Sequence, residues 1–115
     1  MKVGHNSIGS PEVYVKVKNL SREKNIIAFR FATKCYNAYG TLLEAHGFGD
    51  ATEYWIWQEG SIKPGKTWGF SNWCWTLYGF DTAYSIDVWL TDYRTDDGTI
   101  TDIPYDASNV WTWTR

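Results

Sequence analysis

Only two cysteines, Cys35 and Cys74, occur in 115 residues. That is too few for the disulfide scaffolds that hold many small secreted domains together. Histidine is equally scarce: His5 and His46 have no companion ligands at metal-binding spacing, so no metal site is expected. No apolar run approaches 18 residues, which excludes a helical membrane span. Basic residues do not cluster. The 11 Lys and Arg are spread among 13 Asp and Glu for a net charge of −2. Nothing in that pattern would track a phosphate backbone, so nucleic acid is not an expected partner. No glycine-rich phosphate loop and no serine in a nucleophile elbow can be found, and no cofactor is implied. Helical periodicity is missing as well, with "TLLEA" at most a single turn.

What is abundant is aromatic and period-two. Phe, Trp and Tyr make up 18% of the chain, and eight residues are tryptophan. In "EVYVKVKNLS" Val13, Val15 and Val17 alternate with Tyr14, Lys16 and Lys18, the mark of a strand with one buried face. "NIIAFRFATKCYNAYG" continues it, placing Ile27, Phe29, Phe31, Thr33 and Cys35 on one side. The polar linker between them predicts that these two strands form a hairpin. "YWIWQ" and "NWCWTLY" read as further strands, and Pro64-Gly65 predicts a type II turn. "YSIDVWLTDY" alternates with Ile86, Val88 and Leu90 inward, and "TDDGTIT" carries the Asp-Gly signature of a tight hairpin. A polar loop, "YDASN", leads to a last short strand, "VWTWT".

Seven or eight strands at such intervals predict an all-β fold, an antiparallel β-sandwich in one domain over residues 11–115. Residues 1–10 read as an N-terminal tail. "MKVGHNSIGSPE" lacks the apolar core of a secretory signal. Two settings follow: cytoplasmic if Met1 is the native start, or a domain of a longer exported chain.

Five segments, "VYVKVKNLS", "FATKCYNAYG", "IKPGKTWGF", "WTLYGFDTAYSIDVWLTDY" and "DDGT", occur in this order over roughly residues 9–100. Together they resemble immunoglobulin-like and FxLYD-like β-sandwich modules of exported or lipid-anchored Gram-positive bacterial proteins. The resemblance implies an immunoglobulin- or fibronectin-III-like topology and a non-catalytic binding or spacer role in the cell envelope. It implies no catalytic residue. The sequence departs from it after residue 100, where "ITDIPYDASNVWTWTR" extends the chain.

The tryptophans are the main candidates for a ligand surface. Most are expected in the core, where large rings dominate burial. Trp89 falls on the face opposite Ile86, Val88 and Leu90, together with Asp87 and Thr91, and should be at least partly exposed. Trp55 and Trp57 share one face of their strand. A carbohydrate-binding surface of Trp55, Trp57 and Trp89 is therefore one expectation, with rings stacking on sugar faces and nearby polar groups taking hydroxyls. The alternative is a protein partner at the cell surface. Self-association through free β edges is a third.

"TDYRTDDGTITD" does not fit a calcium loop. From Asp92, the sixth position is Asp97 rather than glycine and the twelfth is Ile103 rather than glutamate. Asn19-Leu20-Ser21 matches a glycosylation sequon, but Asn and Ser there also end a strand by bonding their own backbone. Cys35 faces inward by alternation. A Cys35–Cys74 disulfide forms only if Cys74 also faces inward, away from Trp73 and Trp75; otherwise both are small buried thiols.

Overall fold

Alternation of apolar and polar side chains is realised, among the described residues, as ten strands in a computed structural model of the chain. It describes residues 2–7, 9–44, 53–69 and 74–115, with only the backbone of 2 and 53–57. The strands are β1 (Lys2–His5), β2 (Pro11–Tyr14), β3 (Val17–Lys18), β4 (Ile26–Tyr36) and β5 (Glu53–Ile62). After them come β6 (Thr67–Trp68), β7 (Trp75–Thr76), β8 (Ser85–Thr95), β9 (Ile100–Asp102) and β10 (Trp111–Thr114). Every pairing is antiparallel. The main sheet runs β10-β8-β4-β5, with β9 also on β8; a second sheet is β1-β2-β7, and β3 pairs β6.

The sheets pack as a sandwich. Val13, Val15 and Leu77 meet Phe29, Phe31, Cys35, Ile86 and Val88 in one buried cluster, with Val17, Leu90 and Tyr93 packed against it. Each fully buried Val, Ile or Phe contributes roughly 1.5–3 kcal/mol through removal of apolar surface from water. Trp68, Trp75, Trp111 and Trp113 also pack on this cluster. Trp68 stands edge-on to Phe29, ring centroids 5.2 Å apart.

Three expectations need correction. Residues 2–5, assigned to a tail, form β1, which pairs with β2 from Lys2↔Tyr14 to His5↔Pro11. The single strand expected over residues 12–21 divides into β2 and β3, which lie in different sheets. The division falls where Gly69 crosses: a Cβ built there would lie 2.2 Å from the Val15 carbonyl, and its φ is +104°. Only glycine allows that approach. The expected hairpin of the first two strands is also absent, since β4 pairs with β5 and β8. The polar linker instead carries the chain across to the main sheet, because Asn19 is buried and anchors it there.

Two bulges set which side chains face out. In β4 the register shifts between Ile26 and Ala28, so Ile26 takes the buried place that strict alternation gives Ile27. In β8 Leu90 pairs Phe31 and Asp92 pairs Arg30, leaving Thr91 as the extra residue. Its hydroxyl donates to the Arg30 carbonyl at 3.1 Å. Beyond it the parity reverses, so Asp92 joins Arg30 and Tyr93 turns to the core.

The turns follow their residues. Pro64 and Gly65 occupy the centre of a turn closed by Lys66 N–H donating to the Lys63 carbonyl, with Gly65 at φ +74°. At the β8–β9 hairpin Gly98 has φ +86°, and Asp97 accepts from the Thr99 amide and the Thr95 hydroxyl.

Candidate functional site

The outer face of the main sheet carries a cleft where β4 and β8 lie side by side. Cross-strand register puts Ala32 opposite Trp89, Lys34 opposite Asp87 and Tyr36 opposite Ser85. Alternation sends all of these away from Ile86 and Val88, which are buried. Trp89 is half-buried, as expected of it, and Ala32 beside it is buried. Thr91, expected beside Trp89 and Asp87, is displaced by the bulge.

The loop after β9 closes one side. Tyr105, 65% exposed, sets its ring edge-on to Trp89, centroids 5.3 Å apart at 82°. Asp106 caps a short 3-10 turn over Ala107–Asn109, accepting from the Ser108 amide, and β10 then returns to β8. There Thr112 donates its hydroxyl to Asp87 at 2.7 Å and orients the carboxylate. The result is an open cleft of about 250 Å³ lined by Lys34, Tyr36, Asp87, Trp89 and Tyr105. Burial, then the Asp87 carboxylate, raises the pKa of the Tyr36 phenol, so it remains a hydroxyl at neutral pH.

The cleft thus offers two perpendicular aromatic surfaces, an ammonium, a carboxylate and a phenol. A larger space of about 350 Å³ lies between the sheets, bounded by Val17, Leu20, Ile26, Phe29, Leu90 and Tyr93 among others. Val17, Ile26, Phe29, Leu90 and Tyr93 of its wall belong to the core or pack on it, and Lys18, Asn19, Ser21, Lys24, Thr95, Thr99 and Thr101 give it a polar rim without a second aromatic pair like that at Trp89.

Of the three tryptophans expected to form one surface, the structure brings Trp89 to the cleft. Trp55 pairs with Ala32 and Trp57 with Arg30, so their backbone positions lie one strand beyond it on β5. Their side chains, like the whole of Trp73, lie outside the described residues. Tyr105 and Lys34 belong to the site but not to the sequence-derived set. Their signal is spatial, since β4 and β8 lie about fifty residues apart in sequence and the Tyr105 loop follows β9.

The two cysteines do not pair. Cys35 is buried in β4, whereas the Cys74 thiol donates to Glu12 Oε2 at 2.8 Å on the other sheet. The sequon is explained by the backbone: Asn19 Oδ1 accepts the Ser21 amide and its Nδ2 is engaged inside the fold. Among the described residues no group of His, Cys, Asp and Glu could hold a metal ion, and no helix is long and apolar enough to cross a membrane.

No family model, curated protein or solved structure matches the chain.

Proposed function

We propose that this chain is a non-catalytic binding module of a bacterial cell-surface protein, with the cleft at Trp89 as its ligand site. One observation carries the assignment of the site: Trp89 and Tyr105 stand at right angles over a polar pair, Lys34 and Asp87, on an otherwise complete sandwich. Exposed aromatic surface of this kind is costly in water and gains when a ligand covers it. Asp87 is held by Thr112, an arrangement suited to holding a ligand hydroxyl in place. The envelope setting rests on the resemblance of residues 9–100 to modules of exported proteins.

An NMR screen of small fragments that mixes sugars, ammonium compounds and short peptides tests the location. Hits are expected to shift resonances of Trp89, Tyr105 and Lys34. Hits gathered instead around Phe29 and Tyr93, in the space between the sheets, would overturn it.

A second reading, association of copies through β5, is favoured by that strand's place at the end of the main sheet. Sedimentation velocity over a hundredfold range of concentration tests it; an unchanging monomer would rule it out.

A further inference from the structure

The Trp89 cleft also constrains the chemistry of its ligand. Its walls are two rings meeting at 82°, so a bound group must show an apolar face to one and an edge to the other. Among the described residues its charged groups are Lys34 and Asp87, opposite each other on adjacent strands. A quaternary ammonium would suit the rings and Asp87 but would meet the Lys34 ammonium. An anionic ligand would suit Lys34 but meet Asp87. A neutral polyhydroxylated ring meets neither objection: its hydroxyls donate to Asp87 and accept from Lys34, and either role suits the Tyr36 phenol.

Size and layout add to this. At about 250 Å³ the cleft is smaller than the roughly 300–1,000 Å³ of sites for drug-sized ligands. It is also open, and its two β4 side chains, Tyr36 and Lys34, stand roughly 7 Å apart along the strand. One ring of a chain can sit against Trp89 while the chain continues along the sheet.

We infer that the ligand is a neutral pyranose within an oligosaccharide, its C–H face against Trp89 and its hydroxyls shared between Lys34 and Asp87. This rests on the cleft being the binding site, as proposed above.

The test is NMR titration of the ¹⁵N-labelled chain with neutral tetrasaccharides of glucose, mannose, xylose and N-acetylglucosamine, with tetraglucuronate and choline as charged probes. At least one neutral sugar should shift the Trp89 indole N–H saturably. Trp89→Ala and Asp87→Asn should each weaken that binding tenfold or more. Trp89→Phe, which keeps a ring, should retain part of it and guards against misfolding as the cause. Tyr39→Ala, at a turn outside the cleft, should leave it unchanged. Saturable shifts from choline or tetraglucuronate alone would overturn the sugar assignment and leave the site standing. Silence from all four neutral sugars would also overturn it, while the fragment screen decides the site separately.

Discussion

Asn19 and Ile62 are joined inside the sandwich. The Asn19 side-chain amide donates to the Ile62 carbonyl at 2.8 Å and to the Lys24 carbonyl at 2.7 Å, with the residue 1% exposed. Its own backbone bonds the Pro64-Gly65 turn, through Lys66 on one side and Gly65 on the other. Asn19→Ala takes the donor from two inward carbonyls and should cost roughly 2–4 kcal/mol. Urea unfolding followed by tryptophan fluorescence measures this, and a loss below 1 kcal/mol would contradict the role given to Asn19.

The β8–β9 hairpin makes stability depend on acid. Lys24 lies 2.8 Å from Asp97, and that contact, followed by bonds from Thr95 and Thr99, holds the Asp97 carboxyl well below the usual carboxylate range. Its folded pKa is thus lower than its unfolded one, near 3.8. The contribution is complete above that value and fades as pH falls below it. Asp97→Asn should flatten the fall in melting temperature below about pH 4. High salt should narrow the difference between the two proteins at neutral pH, because the pair is exposed.

Gly69 and Gly98 both have positive φ but different surroundings. At Gly98 a Cβ meets open space, so Gly98→Ala should cost only about 1–2 kcal/mol of backbone preference. At Gly69 a Cβ collides with the Val15 carbonyl, and Gly69→Ala should cost at least about 3 kcal/mol or prevent folding. Equal melting temperatures for the two variants would refute the crossing described at the β2–β3 break.

The thiols should differ in reactivity. Burial, with a contribution from Asp87, pushes the Cys35 thiol up to about 12, leaving almost no thiolate at pH 8. Cys74 is half-buried, its pKa raised by burial and by the bond to Glu12. An aromatic disulfide reagent should modify Cys74 slowly in the native protein and Cys35 only on unfolding. Two equivalents consumed at once under native conditions would show the burial of Cys35 to be wrong.

Much of the fold could be read from alternation alone. Val13, Phe29, Phe31, Ile86 and Val88 alternate on the buried face of a strand, Val15 keeps that phase just past the end of β2, and all six are in the core. Trp89 could be placed outside for the same reason. Alternation failed where the chain adds a residue or changes sheet. Thr91 and Ile27 are bulge residues, and nothing in their identity announces it. The β2–β3 break depends on Gly69, about fifty residues further along, so it could not be read locally. The site was half legible: Trp89 came from local pattern, but Lys34, Tyr36 and Tyr105 join it only through the register of β4, β8 and the loop after β9.

That register also fixes when the cleft can come into being. Lys34 and Tyr36 lie in the first third of the sequence, but β8 is flanked on its other side by β9 and β10, which supply or frame Tyr105 and Thr112. During synthesis the early strands would leave the ribosome with no ligand site to show. The second ring and the hydroxyl that steadies Asp87 arrive only with the segment after residue 100. Ligand binding at the proposed site would therefore require β8 to be paired on both sides.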